Sequence, residues 1–378
     1  MDKTRIYLIA STRPPEKTAA AITLARHLAD DRLYDVLILP SDSHELIEPS
    51  FFRNILDRIQ KTRFSKWVQD FRYMVASILP LHWKLPRPDK GQNKSVVLTV
   101  ACGNGCLTAV KYASRYGLPL AVRFDDWWPD TLGLHPTVLT FYSRQFRSLT
   151  KAADLCFCIS DGMSKEIGQS GFSKTILPIP EAGLMPNPPR PLEKPFRVCY
   201  LGNMFDYGPM LADLAEAALN VEEVRIEFRG TEPNWPIQLK SRLKNQGQLH
   251  GFLDGEEFHQ WYESFDCYLV VMFFEESQRR RVRTCFATKL LDYSARGRPI
   301  LIWAPEESSV VLWARKSGAA YCVTTADANA VVAALLDLSS DPQKCDRLGK
   351  LARRAYETEF SPDRLRESFD QAITQVAR

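Results

Sequence analysis

Apolar and polar positions alternate along this chain in two registers. Short β-rich runs recur at Arg5–Ala10, Tyr34–Leu39, Val96–Ala101, Leu118–Phe124 and Leu155–Ser160. Between them lie stretches with helical spacing, such as 17–28, Leu107–Tyr116 and 138–152. Strands separated by helices predict a parallel sheet with right-handed crossovers. The stretch 178–195 then carries seven prolines, a density that neither a helix nor a central strand tolerates. After it the alternation restarts. Strands are expected at Arg197–Leu201, Val224–Phe228, Gln248–Gly251, Cys267–Met272 and Pro299–Trp303, and helices at Pro209–Leu219 and Phe286–Ala295. Helical segments at Ala326–Leu338, Pro342–Phe360 and Pro362–Ala377 close the chain. The predicted class is α/β, with two Rossmann-like, doubly wound domains facing across a cleft. Their expected extents are residues 1–182, a linker at 183–195, residues 196–360, and a final helix at 361–378 that crosses back to the first domain.

Length and composition agree with this picture. A chain of 378 residues suggests two domains, and 45% hydrophobic with 25% charged residues is enough to bury large cores. A net charge of only +4 argues against a nucleic-acid binder. No run approaches the roughly 18 apolar residues of a membrane span, and the five apolar residues 6–10 are too few for a signal-peptide core. The nine cysteines are scattered and odd in number, which fits reduced thiols in the cytoplasm acting as small buried hydrophobes. Their spacing offers no metal site. Residues 51–90 stand apart, with nine basic against three acidic side chains interleaved with aromatics. Such a segment either packs on its own domain or rests on an anionic membrane surface, giving peripheral contact with the inner membrane face.

In open α/β sheets, chemistry belongs to the loops after the strands. The segment 286–300 offers the strongest constellation. Thr288 and Lys289 open a predicted helix, where free N–H groups, a hydroxyl and an ammonium suit phosphate. Asp292 lies one turn on, placed to accept hydrogen bonds from two ribose hydroxyls. The run 278–283 just before it, read as a loop, carries Arg279, Arg281 and Arg283, whose guanidinium forks match phosphate oxygens. Gly202 and Asn203 follow the first strand of the second half, and Arg229 ends the next strand, placed to flank a nucleobase. In the first half, Arg13 follows the first strand and Asn104 lies between two glycines after the third. After the fourth strand come Asp125, Asp126 and Trp127, two carboxylates and an indole that suit a sugar ring.

The run from Thr288 to Ile300, Thr-Lys-Leu-Leu-Asp-Tyr-Ser-Ala-x-Gly-x-Pro-Ile, resembles the donor-binding helix of GT-B glycosyltransferases, specifically the retaining GT4 family, glycosyl transferases group 1. That family's pattern is Ser/Pro-x-Lys-x-x-Glu-Tyr-x-Ala-x-Gly-x-Pro-Val. Tyr200 to Asn203, Phe228 to Gly230, and His250 to Phe252 with Glu256 and Glu257 also resemble family segments, in the family's order. The resemblance covers most of residues 150–360. It implies a transferase that moves a sugar from a nucleotide-diphosphate donor to a hydroxyl of a glycan or lipid-linked acceptor, with retention, without metal or other cofactor, in polysaccharide biosynthesis. It places the donor on Gly202, Asn203, Arg229, the three arginines, Thr288, Lys289 and Asp292. Acceptor binding falls to Arg13, Asn104 and Trp127, and Asp125 or Asp126 contacts the acceptor or the transferred sugar. Many members carry a Glu eight residues before the position of Asp292; here Thr284 stands there, and Glu275 or Glu276 is the candidate replacement. Two alternatives stay open: a non-catalytic subunit that binds a nucleotide-sugar or glycan, and a nucleotide-sugar epimerase of the same fold.

Overall fold

Twelve strands among the described residues form two six-stranded sheets in which every neighbouring pair is parallel. The computed structural model describes residues 3–15, 19–41, 84–89, 94–131, 136–168, 172–181, 183–188, 191–253 and 255–377. Most of the basic, aromatic segment 51–90 lies outside them. The chain divides into two units, residues 1–179 with 363–378, and residues 180–362.

The first unit runs β1 (Thr4–Leu8), α1 (Ala19–His27), β2 (Tyr34–Ile38), β3 (Ser95–Val100), α2 (Gly105–Tyr116), β4 (Leu120–Phe124), α3 (Trp128–Thr131), α4 (Pro136–Ala152), β5 (Leu155–Cys158), α5 (Asp161–Ile167) and β6 (Phe172–Thr175). The strand order is β2-β1-β3-β4-β5-β6. Side chains alternate between faces along each strand, so one sheet feeds two cores. Tyr7, Val97, Val122 and Cys156 pack with residues of α2 and α4, whereas Ile6, Leu8, Val96, Leu98 and Phe157 face Leu24 of α1.

The second unit runs β7 (Phe196–Gly202), α6 (Gly208–Ala218), β8 (Val224–Gly230), α7 (Ile237–Asn245), β9 (Leu249–His250), α8 (Gly255–Glu263), β10 (Cys267–Val271), a 3-10 turn (Glu276–Gln278), α9 (Arg279–Thr284), α10 (Lys289–Ala295), β11 (Ile300–Trp303), α11 (Ser309–Ser317), β12 (Tyr321–Val323), α12 (Ala328–Ser340) and α13 (Pro342–Thr358). The order is β12-β11-β10-β7-β8-β9, so the direction of strand addition reverses between β7 and β10. The last helix, α14 (Pro362–Val376), belongs to the first unit. Its Phe369 ring stacks on Phe157 at 4.8 Å and on His27 at 4.7 Å, and Tyr34 donates a hydrogen bond to Asp370.

Three features differ from the sequence expectation. The arginine-rich run forms helix α9 rather than a loop, with Val282 and Thr284 buried beneath it. The helix expected from residue 286 begins only at Lys289 and is seven residues long. The proline-rich stretch, expected as a linker, is hydrogen-bonded to the second unit. The Asn187 peptide N–H donates to the Arg296 carbonyl, and its buried side chain donates to the Glu263 carbonyl and the Tyr268 hydroxyl.

Candidate functional site

β7 pairs with β8 along its whole length, ending at Gly202 opposite Gly230. Its ladder with β10 stops early, at Val198 opposite Cys267 and Cys199 opposite Tyr268. The carboxyl end of β7 therefore stands apart from β10, at the point of reversed strand order where open α/β sheets take their ligands. Two glycines leave this edge bare. Gly202 has φ +137° and Gly230 φ +148°, conformations that L side chains rarely adopt. A Cβ on Gly202 would fall 1.7 Å from Lys289 Nζ, and one on Gly230 would fall 1.8 Å from the Gly202 carbonyl oxygen. The Lys289 ammonium thus lies directly against naked backbone.

Lys289 is the first residue of α10, and its ammonium sits 5.1 Å from the centroid of the Tyr200 ring. It has no hydrogen bond or ion pair with the described residues. Burial lowers its pKa from 10.5 to about 8, with the buried Cys199 thiol acting in the opposite sense. An ammonium partly removed from water and without a counter-ion among the described residues is unfavourable in the empty fold and favourable beside an anion.

The turn after β7 is tied by side-chain hydrogen bonds. The Asn203 carboxamide oxygen accepts the N–H groups of Phe205 and Asp206 at 2.9 and 3.0 Å, and its amide donates to Asp206 Oδ2 at 2.8 Å. Thr231 Oγ1 accepts the Met204 N–H at 2.8 Å and ties this turn to the one after β8. Asn203 therefore shapes the turn with its side chain. Arg229 lies 4.3 Å over the Trp261 ring and donates from Nη1 to the Gly251 carbonyl at 2.7 Å. It is buried at the edge of the site and anchors the loop after β9.

Beneath Arg229 lies a charged cluster that sequence reasoning missed. The buried Glu227 carboxylate contacts Arg197 at 2.8 Å, His250 at 3.0 Å, Trp261 Nε1 at 3.2 Å and Arg225 at 3.3 Å. Burial alone would push its pKa up, yet the hydrogen bonds from His250, Arg197 and Trp261 hold it down, from 4.5 to about 2. Its folded-state pKa is depressed, so its contribution to stability is complete above about pH 4.5 and is lost as the pH falls to about 2. The expected loss over that window is about 3 kcal/mol. Urea titrations at pH 5 and pH 2.5 should show it for the wild type and a much smaller loss for Glu227→Gln; equal losses would remove this carboxylate as the cause.

The remaining donor candidates are more scattered. Thr288 precedes α10 without making a side-chain cap. Asp292 Oδ1 accepts the Glu181 N–H at 3.2 Å, so one of its oxygens secures backbone. Arg279 is held by Glu276 at 2.9 Å and Glu307 at 3.2 Å, Arg281 lies 5.2 Å over the Phe273 ring, and Arg283 is exposed on α9. Glu276 is 80% exposed and faces Arg279, at the surface.

The first-unit candidates lie after β1, β3 and β4. Arg13 donates from Nη1 to the Ala10 carbonyl at 2.9 Å and to Ser41 Oγ at 2.6 Å. The Asn104 carboxamide oxygen accepts from the Tyr142 hydroxyl at 3.4 Å, and its backbone opens α2. Asp125 Oδ1 accepts from Arg123 Nε at 2.7 Å, while Oδ2 is buried without a hydrogen-bond partner among the described residues. Burial raises its pKa against the pull of Arg123. Asp126 is exposed beside it. Trp127 corrects the expectation of a stacking platform. It is fully buried, its ring 4.8 Å from Phe146, because a large apolar ring gains more from the core than from the surface. Trp128, next in sequence, keeps partial exposure.

Among the described residues, no group of three His, Cys, Asp or Glu side chains could hold a metal ion, and no helix is long and apolar enough to cross a membrane. No family model and no curated protein sequence matches the chain. Solved structures do. Sucrose-phosphate synthase from Thermosynechococcus elongatus superposes with a TM-score of 0.65 at 13% identity, over 99% of this chain and 98% of that one. Anabaena HepE in complex with UDP and glucose gives 0.64 at 11%, over 98% and 99%. The α,α-trehalose 6-phosphate synthase of Burkholderia multivorans gives 0.56 at 11%, over 100% and 97%. At these identities the likeness is one of fold: two Rossmann-like domains of the GT-B type.

Proposed function

We propose that this chain is a glycosyltransferase of the GT4 type, moving a sugar from a nucleotide-diphosphate donor to a hydroxyl of a glycan or lipid-linked acceptor with retention and without metal. The observation that carries the reading is the Lys289 ammonium, without an ion pair among the described residues, against the bare backbone of Gly202 at the switch point of a GT-B second domain. A leaving diphosphate supplies the missing negative charge. Charge grows on it as the glycosidic bond breaks, so a fixed ammonium there stabilises the transition state more than the bound donor. Arg229, Thr288 and Asp292 complete the nucleotide site in this reading. Arg13 and Asn104 face the acceptor, and the free oxygen of Asp125 is the candidate contact to the transferred sugar.

Thermal-shift titration with UDP, GDP, ADP, CMP and dTDP tests it, with Lys289→Ala and Asp292→Ala as controls. One diphosphate should raise Tm selectively, and both variants should weaken the shift. No shift with any nucleotide would sink the donor site. One observation favours a second reading, a subunit that binds a nucleotide-sugar without turning it over. Thr284, at the position of the family's first Glu, is buried in α9 and carries no carboxylate, and Glu275 and Glu276 are both exposed. Tight donor binding with no transfer or hydrolysis would select that reading.

A further inference from the structure

The parting of β7 from β10 leaves the Leu201 N–H without a strand partner. In a parallel strand, alternate peptide groups point to opposite neighbours. The Arg197 carbonyl accepts the Asp266 N–H at 2.9 Å, so the odd-numbered residues of β7 face β10. The Gly202 carbonyl accepts the Thr231 N–H at 3.1 Å, so the even-numbered ones face β8. Leu201 therefore points its N–H toward β10 beyond the last paired residue, where no strand carbonyl meets it. The Tyr293 hydroxyl does instead, accepting that N–H at 3.1 Å.

Tyr293 is fully buried, stacked on the Tyr268 ring at 4.8 Å and tilted against Tyr262 at 5.9 Å. The ring cannot swing away without disturbing that stack. Tyr293 also lies four residues after Lys289 on α10, so the two side chains share a helix face. One helix thus sends an ammonium to Gly202 and a hydroxyl to the peptide immediately before it.

We propose that Tyr293 is a positioning residue for the diphosphate: its hydroxyl stands in for the missing strand partner of Leu201 and so fixes the Gly202 backbone against the Lys289 ammonium. The inference rests on the donor-site reading above and assigns Tyr293 no contact with the substrate. Without the hydroxyl, the Leu201 N–H has no partner, the end of β7 loosens, and water reaches Lys289.

Isothermal titration with inorganic pyrophosphate and with the preferred nucleoside diphosphate, on the wild type and Tyr293→Phe, is the test. Losing one buried hydrogen bond should weaken diphosphate binding about tenfold. The matching nucleoside should bind both proteins equally, which a general loss of structure would not allow. The alkaline midpoint of diphosphate binding should move to higher pH in the variant, as Lys289 regains water. Amide exchange at Leu201 should be faster in the variant, and saturating pyrophosphate should slow it in the wild type, a readout that needs no substitution. Equal diphosphate affinities, or Leu201 exchange in the wild type unchanged by saturating pyrophosphate, would overturn the role of Tyr293 while leaving the donor site standing. A wild type that binds no diphosphate would overturn the donor site itself, and the role of Tyr293 with it.

Discussion

Lys289→Ala is expected to weaken nucleoside-diphosphate binding about 100-fold, the scale of a charge-assisted contact worth about 3 kcal/mol in a partly dehydrated site. The same substitution should leave Tm unchanged or raise it. In the empty fold the half-buried ammonium lies against the Tyr200 ring and the Gly202 backbone with no ion pair among the described residues, so removing it relieves a cost that offsets the lost packing of its aliphatic stem. Opposite effects on binding and on stability mark a residue kept for function. The pH dependence follows the same logic. Lys289 is charged below about pH 8, so diphosphate affinity should fall above that pH, and binding should take up protons near it. For the empty protein the sign reverses. The folded-state pKa lies below the ordinary 10.5, so the unfolded chain holds more protons between about pH 8 and pH 10.5, and the contribution of this group to stability improves as pH rises through that window. Calorimetric titrations in buffers of different ionisation enthalpy, at pH 7.0 and 8.5, read the proton uptake. Affinities unchanged in Lys289→Ala would remove the ammonium from the site.

Gly230→Ala should be the most damaging small substitution in the second domain, costing about 3–5 kcal/mol from a strained backbone angle together with a contact that nothing flexible can relieve. The added methyl would meet the Gly202 carbonyl carbon at 2.7 Å as well as its oxygen, and both belong to backbone fixed in the β7–β8 ladder. Gly202→Ala meets a side chain instead, the tip of Lys289, which can retreat. The pair separates fold from function. Gly230→Ala should lower Tm sharply, whereas Gly202→Ala should lower Tm less and weaken diphosphate binding by displacing the ammonium. Melting curves by far-UV circular dichroism give the first comparison, and pyrophosphate titration the second. A larger Tm loss in Gly202→Ala would mean that the ladder relaxes around Gly230 more easily than its geometry implies.

Much of the fold was legible because buried parallel strands are short apolar runs. Ser95–Val100 and Cys267–Val271 are buried throughout, and the sequence marks both. Edge strands lack that signal. Phe172–Thr175 reads Phe-Ser-Lys-Thr, is half exposed and escaped notice. The arginine run was read as a loop because its charges dominate the pattern, although Val282 and Thr284 anchor a helix beneath them. At the candidate site, Gly202 and Lys289 could be named because a glycine after a strand and a lysine at a helix start each suit a phosphate. The Glu227 cluster could not. In β8 the apolar Val224, Ile226 and Phe228 alternate with Arg225, Glu227 and Arg229, which reads as a strand with one face in water. That face is instead covered, and the charges meet His250 and Trp261, partners distant in sequence. Tyr293 stood in the quoted motif without a role, because the need it meets arises only where two strands part.

The attachment of α14 bears on how the chain is made. Phe369, Ala372 and Ile373 complete the core on one face of the first sheet, beside Ile6, Leu8, Leu155 and Phe157. That core therefore waits for residues more than 180 positions after the last strand of its own sheet. The second domain is continuous in sequence and is whole before then. The usual order of synthesis, in which the amino-terminal domain matures first, is reversed here. During elongation the nascent first domain carries a bare apolar face, the period in which a chaperone has most to protect.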